Sequence, residues 1–106
     1  MSFTIKQAKY FVGVAEHGSF SRAAGELAIS QSTLTEAVRD LERHLGLKLF
    51  ERRRRGVEMT HDGYVFMRHA KSILAEVSNA ERSLTGIRSS IAGQLNIGVT
   101  SLTSGY

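Results

Sequence analysis

The chain has 106 residues and a mass of 11.7 kDa, which limits it to one modest domain or a small domain with an appendage. It contains no cysteine, which excludes disulfides and thiol chemistry, and no proline, which leaves long helices unbroken. The net charge of +4 favours an anionic partner. Because the chain lacks an apolar run long enough to span a membrane and begins without a secretory signal, we expect a cytoplasmic protein with no membrane partner.

Two short helices are predicted at the start of the chain. Residues 4–17 have helical apolar spacing, at Ile5, Ala8, Phe11, Val12 and Ala15. Gly18 is expected to end this helix. Either Ser19 or Ser21 can cap the second helix. Its apolar face comprises Phe20, Ala23, Ala24 and Leu27.

A third helix is predicted over roughly residues 31–45, with Ser30 as its cap and Gly46 as its stop. Its inward face consists of Leu34, Ala37, Val38, Leu41 and Leu45. Its outward face is polar and consists of Gln31, Ser32, Thr33, Thr35, Glu36, Arg39, Asp40 and Arg43. Such a helix fits the major groove of DNA, where glutamine, arginine, serine and threonine side chains can read base edges.

A basic hairpin is predicted after the third helix. Residues 47–52 and 57–59 form its strands, and Arg53 to Gly56 form its turn. The hairpin carries four consecutive arginines: Arg52, Arg53, Arg54 and Arg55. A solvated surface loop is the plain interpretation. Contact with a phosphate is the more specific one, because the guanidinium fork matches phosphate geometry.

A long helix is predicted from the cap Thr60 to about Ser90. Its apolar residues alternate in steps of four and three, at Phe66, Ala70, Ile73, Val77, Ala80, Leu84, Ile87 and Ile91. This heptad pattern predicts a helix–helix seam about 45 Å long, and a second copy of the chain is the expected partner. A helix lying on its own domain is the alternative. Beyond it, the alternating Leu95, Ile97 and Val99 indicate a strand of a further domain missing from this chain.

Residues 11–63 resemble the N-terminal domain of the LysR-type transcriptional regulators. The matching residues are Phe11, Gly18-Ser19-Phe20, Ala23-Ala24, Leu27, Ser30-Gln31, Leu34, Leu41-Glu42, Leu45-Gly46, Leu49-Phe50, Arg52, Arg55, Thr60 and Gly63. The resemblance implies a mainly α fold. Residues 1–60 would form a winged helix-turn-helix of three helices and a two-stranded wing, and 61–91 a linker helix that dimerises the protein. Residues 92–106 would begin a truncated effector-binding domain.

The resemblance also implies which residues bind DNA. Base contacts are expected from the outward face of the third helix, at Gln31, Thr33, Thr35, Glu36 and Arg39. Backbone contacts are expected near helix starts and in the wing, at Ser21, Arg22, Ser30, Ser32, Arg52, Arg53, Arg54 and Arg55. The dimer seam would comprise Phe66, Ala70, Ile73, Val77, Ala80, Leu84 and Ile87.

Two residues depart from the family pattern. Ser32 stands where the family commonly has proline, which makes the start of the third helix less rigid. Glu36 stands where a basic residue is common. It could pair with Arg39. Alternatively, it could accept a hydrogen bond from cytosine N4 and narrow the specificity at one base position.

The expected partners are double-stranded DNA at an interrupted palindrome and a second copy of the chain, in a bacterial cytoplasm at the nucleoid. A tetramer is possible for the full-length protein, and a small-molecule co-inducer would bind only through the absent effector domain. His17, His44, His61 and His69 lack convergent ligand spacing, so we expect no metal. The serines lie in no nucleophile motif and the sequence has no glycine-rich phosphate-binding loop, so we expect no cofactor and no enzyme activity. A helical scaffold module and an RNA-binding winged helix are the alternatives.

Overall fold

The structure is a computed structural model that describes residues 3–93, with side chains described through residue 86. The described part contains, in chain order, α1 (Ile5–His17), α2 (Phe20–Leu27), α3 (Gln31–Leu45), β1 (Phe50–Arg53), β2 (Gly56–Met59) and α4 (His61–Gly93). This confirms the predicted mainly α fold with a two-stranded wing. The strand predicted at residues 95–99 lies outside the described residues. Residues through Leu74 form one compact unit, past the predicted boundary at residue 60, and Ala75 begins a second.

Side-chain caps set the starts of the first three helices. The Thr4 hydroxyl accepts a hydrogen bond from the Gln7 amide at 3.0 Å, and the Gln7 side chain accepts one from the Thr4 amide at 2.9 Å. Ser19, rather than Ser21, caps α2, and Ser30 caps α3; each accepts from the amide three residues further on at 3.1 Å. These short-range bonds satisfy amides that have no partner within their helix.

Left-handed residues end the first three helices and shape the turn between α2 and α3. Gly18 and Gly46 adopt φ values of 66° and 71°, as predicted for helix stops. Ala28 adopts φ of 59°, a conformation that costs a non-glycine residue about 1 kcal/mol. Its amide and the Ile29 amide donate to carbonyls of α2, at 3.3 and 3.1 Å. These bonds hold the tight turn that precedes α3.

The core is built from one face of each helix and from the segment that leads into the wing. Phe11 lies at its centre, stacked on Phe50 with ring centroids 5.0 Å apart and in edge contact with Phe66 at 5.1 Å. The buried face of α1 differs from the predicted one. Val14, which was not predicted to lie on it, is buried, whereas Ile5, in the first turn, is 51% exposed. The buried set is Ala8, Phe11, Val14, Phe20, Ala23, Ala24, Leu34, Val38, Leu41, Leu49, Phe50, Phe66 and Ala70.

The wing, residues 50–59, is shorter than predicted. Its antiparallel register pairs Phe50 with Met59 and Arg53 with Gly56, so Arg53 belongs to β1 and not to the turn. The strand does not include Leu47 or Lys48. The wing lies against the end of α1, since the Val57 amide donates to the Gly18 carbonyl at 3.1 Å. A Cβ at Gly56 would lie 2.2 Å from that same oxygen, so this contact requires glycine.

Thr60 begins α4, as predicted, and ties it to the segment before the wing. Its hydroxyl accepts from the Gly63 amide at 3.0 Å and donates to the Lys48 carbonyl at 2.7 Å. Its amide donates to the Leu49 carbonyl at 2.9 Å. A Cβ at Gly63 would lie 2.2 Å from that carbonyl oxygen, so only glycine allows this close approach.

The heptad positions of α4 do not form one continuous exposed stripe. Phe66 and Ala70 are 8% and 0% exposed and pack in the core of the compact unit, so their predicted place in a dimer seam is wrong. Their burial follows from the close approach of the start of α4 to Leu49. Further along, Ile73 and Val77 are half-buried, Ala80 is exposed and Leu84 is 61% exposed. The side chain of Ile87 lies outside the described residues. None of the described helices combines the length and apolar character needed to cross a membrane.

Candidate nucleic-acid interface

The polar face of α3 lies on the surface of the compact unit. Five of the residues predicted to touch DNA from this helix are exposed, namely Gln31, Ser32, Thr33, Glu36 and Arg39. Thr35 is half-buried. The opposite face packs in the core through Leu34, Val38 and Leu41. The helix is therefore fixed on one side and presents hydrogen-bonding groups on the other.

The outward face of α3 has two flanks of different chemistry. On the flank toward the wing, Thr35 and Arg39 line a cleft together with Lys48 and Arg52; we call it the wing cleft. Its remaining lining residues are Phe20, Val38, Glu42 and Phe50. On the flank toward α1, an open groove is lined by Thr4, Lys6, Gln7, Tyr10, Ser32, Thr33, Glu36, Ala37 and Asp40. Cations are thus concentrated on the wing side of the helix and carboxylates on the α1 side.

Glu36 pairs with Arg43 rather than with Arg39. The Arg43 guanidinium donates to the Glu36 carboxylate at 3.2 Å and also to the Asp40 carboxylate. The hydrogen bond to Asp40, followed by the one to Glu36, raises the pKa of the Arg43 guanidinium. A residue seven positions on returns to nearly the same side of a helix, whereas Arg39, three positions on, turns toward the wing. Of the two roles considered for Glu36, the pair with Arg39 does not form in the structure.

Hydroxyl groups cluster at the start of α3. The Ser30 hydroxyl donates to the Thr33 hydroxyl at 2.8 Å and lies 3.3 Å from the Ser32 hydroxyl. Ser32 thus contributes to a local network at the position where the family commonly has proline. Ser21 and Arg22, in the first turn of α2, are both exposed.

The four consecutive arginines have different surroundings. Arg53 donates to Glu58 at 3.0 Å and to Glu51 at 3.2 Å, and these two carboxylates are cross-strand partners. Arg52 lies on the other face of the strand, with its guanidinium 4.9 Å from the centre of the Phe20 ring. Arg54 and Arg55 form the exposed two-residue turn. Alternation of side chains along β1 therefore separates the first two charges and relieves their repulsion.

Glu42 holds the wing against α3 and was not among the predicted site residues. Its Oε2 accepts hydrogen bonds from the amides of Leu49 at 2.7 Å and Phe50 at 3.2 Å. We refer to this arrangement as the Glu42 anchor. Lys48, which lines the wing cleft, was also missed. Glu42 is among the residues that match the family and Lys48 lies in the predicted first strand of the hairpin, but neither signal predicts a role at the interface, which depends on the path of the chain after Gly46.

These elements define a winged helix-turn-helix DNA-binding protein: two helices joined by a tight turn, the second with an exposed polar face, followed by a basic hairpin. Residues 5–64 match the family model described as "Bacterial regulatory helix-turn-helix protein, lysR family". The chain belongs to this family.

Known proteins of the same family resemble the chain over most of its length. It is 45% identical over 93 residues to the HTH-type transcriptional regulator TfdT of Cupriavidus pinatubonensis. The match covers 88% of this chain but only 41% of TfdT. The crystal structure of the BenM DBD/catB site 1 DNA complex aligns with a TM-score of 0.79 and 34% identity, covering 82% of this chain and 97% of that one.

A second DNA complex has the same fold. The CbnR DBD–DNA complex aligns with a TM-score of 0.74 and 38% identity, covering 79% of this chain and 98% of that one. The chain is thus a LysR-type transcriptional regulator DNA-binding domain, and its relatives are named as regulators and not as enzymes.

Proposed function

We propose that the chain binds double-stranded DNA with sequence preference as a homodimer. The observation that carries this proposal is the exposed polar face of α3 beside the basic wing. The solved DNA complexes with the same fold support it. Each of the two copies would place α3 in a major groove of an interrupted palindrome.

Base contacts are proposed from Gln31, Thr33, Thr35, Glu36 and Arg39. A glutamine amide can bond an adenine bidentately, an arginine a guanine, and a threonine hydroxyl either base. Glu36 would read cytosine, because a carboxylate can accept a hydrogen bond from the N4 amine. Its exposure supports this role, and its ion pair with Arg43 limits the repulsion from nearby phosphates.

Backbone contacts are proposed from exposed groups around α3. They comprise Ser21, Arg22, Ser30, Ser32, Arg52, Arg54 and Arg55. Arg53 is not in this set because its guanidinium already pairs with two carboxylates. The exposed turn of the wing supports a contact with a phosphate or with the minor groove, where negative potential is concentrated.

Dimerisation is proposed through the apolar heptad residues of α4 beyond Ala70, namely Ile73, Val77, Ala80, Leu84 and Ile87. The exposure of Leu84, at 61%, supports this surface because a large apolar side chain gains most from a partner helix. Phe66 and Ala70 are not part of this surface because they are buried in the compact unit.

We also propose that the chain works within a longer bacterial regulator. The 93 residues that match TfdT make up only 41% of that relative. The remainder would supply an effector-binding domain that responds to a small-molecule co-inducer, with a tetramer possible in the full-length protein. Because its target would be chromosomal DNA, the regulator would act in the cytoplasm at the nucleoid.

The test is selection of binding sites from a random duplex pool with the 106-residue chain. We expect a two-fold related consensus, with affinity for the selected site far above that for a scrambled duplex. Affinity for both should fall steeply with salt, since counterions are released from phosphates. Equal binding to all duplexes, or no binding, would contradict the proposal and favour a scaffold role. Preferential binding of an RNA hairpin would favour the RNA-binding alternative.

A further inference from the structure

The wing cleft brings together three cations from separate parts of the chain. Arg39 comes from α3, Lys48 from the segment before β1, and Arg52 from β1. The cleft has a volume of about 110 Å³, room for one small anion. Neither the third helix nor the wing alone would form it, since its walls belong to both.

The charge inside the wing cleft is only partly compensated. Glu42 is its one carboxylate, against Arg39, Lys48 and Arg52, which leaves an excess of two positive charges. Among the residues whose side chains the structure describes, no carboxylate oxygen lies within 4.0 Å of these three cations. Arg53, which follows Arg52 in the sequence, is neutralised by two carboxylates on the opposite face of the wing. The uncompensated charge is therefore confined to one side of the strand.

The Arg52 guanidinium and the backbone at Lys48 are held in place before any ligand arrives. The ring of Phe20, itself 7% exposed, lies 4.9 Å from the Arg52 guanidinium carbon and supports it by a cation–π contact. The Lys48 backbone is fixed because its carbonyl accepts the Thr60 hydroxyl at 2.7 Å. The Glu42 anchor fixes the next two amides. Such pre-organisation lowers the entropy lost when an anion binds.

We propose that the wing cleft is a binding site for one backbone phosphate of the DNA, with Lys48 and Arg52 as its principal donors. Thr35 and Arg39 stand at its rim on the α3 side. This inference rests on the proposed DNA binding and adds Lys48 to it. A phosphodiester carries one negative charge and acceptor oxygens, which suits an excess of positive charge and arginine donors. A bound phosphate at this point would fix the orientation of α3 relative to the wing on the duplex.

The test compares Lys48→Gln with Lys71→Gln in the 106-residue chain. Both changes remove one positive charge from an exposed lysine. Lys71 lies on α4, where its ammonium is 3.7 Å from Glu16, and it does not line the wing cleft. Affinities for the selected site and for a scrambled duplex are measured across salt concentrations. Thermal unfolding is recorded for each variant to verify that it folds.

For Lys48→Gln we expect the slope of log affinity against log salt to fall by about 0.9 for each bound chain, on both duplexes. The preferred site should stay the same. Replacing the phosphates of the duplex one at a time by uncharged methylphosphonates identifies the ligand. At one position per half-site, this substitution should lower the affinity of the wild type for the duplex. At that position it should have no further effect on Lys48→Gln.

Four results would count against the phosphate site. If the wild type binds its site specifically but the salt slope of Lys48→Gln equals that of Lys71→Gln, the phosphate site is overturned and the proposed function stands. A changed site preference would do the same, because the lysine would then read a base. Absence of duplex binding by wild type would overturn the proposed function and the phosphate site together. Tight binding of inorganic phosphate to wild type, lost in Lys48→Gln without any change in the DNA slope, would assign the cleft to a free anion.

Discussion

Replacing Glu42 by alanine should destabilise the fold and release the wing from α3. The Glu42 carboxylate accepts two partly buried amides, of Leu49 and Phe50, at 2.7 and 3.2 Å. A hydrogen bond to a charged group contributes about 1.5–3 kcal/mol, and an amide left without a partner costs about 1–3 kcal/mol. Since water can reach part of this site, we expect a loss of about 2–4 kcal/mol in the free energy of unfolding. For a compact unit of this size that corresponds to a melting temperature lower by roughly 8–30 °C.

The assay combines urea unfolding with hydrogen exchange. Exchange at the Leu49 and Phe50 amides should accelerate in Glu42→Ala by more than the global loss of stability explains. Glu42→Gln keeps a neutral acceptor and should lose about 1 kcal/mol. Glu26→Ala is the matched control, because Glu26 is exposed on α2 and a surface change of this kind is usually worth less than about 0.5 kcal/mol. If Glu42→Ala unfolds at the same urea concentration as Glu26→Ala, the anchor contributes nothing and the reasoning is refuted.

Three further predictions address the wing, the dimer and the specificity. Gly56→Ala should lower the free energy of unfolding by about 2 kcal/mol or more, since its Cβ would lie 2.2 Å from a carbonyl at a φ of 138°. Gly25→Ala is the control, because its Cβ would stand in open space on α2, and it should raise the free energy of unfolding by up to about 1 kcal/mol. If urea unfolding gives the same change for both glycine variants, the contact at Gly56 is not limiting. Val77→Asp should dissociate the dimer in sedimentation velocity, and an unchanged dimer would place the seam elsewhere. Glu36→Gln should alter the selected site at one base position, and identical profiles would rule out cytosine reading by Glu36.

Local signals predicted the helical part of the interface well. The bounds of α3 agree with the prediction because both ends depend on short-range interactions: Ser30 caps an amide three residues away, and Gly46 takes up a left-handed conformation. Three of the five predicted inward residues of α3, Leu34, Val38 and Leu41, are buried, since a period of 3.6 residues determines which side chains can share one face; Ala37 and Leu45, at its edges, are half-buried.

The wing and the ion pairs could not be predicted in the same way. The four arginines read as one charged run, yet Arg53 meets two carboxylates while Arg52 lies over an aromatic ring. Which face each arginine takes depends on the strand register, and the register depends on the contact of Gly56 with the end of α1. The pairing of Glu36 with Arg43 likewise depends on how the side chains of α3 divide between its two flanks.

The sequence by itself determined the helices, the Ser30 cap, the glycine stops, the presence of a basic hairpin and the family, because these follow from neighbours a few residues apart and from residue types at constant spacing. Only the tertiary structure decided which heptad residues of α4 belong to the core. Phe66, Ala70 and Leu84 belong to the same heptad series. The approach of α4 to Leu49 buries the first two, whereas Leu84 is exposed. The tertiary structure also creates the wing cleft, since Lys48 and Arg52 meet Arg39 only when Glu42 holds the chain against α3. Apolar periodicity identifies a face that prefers burial, and long-range packing determines what covers it.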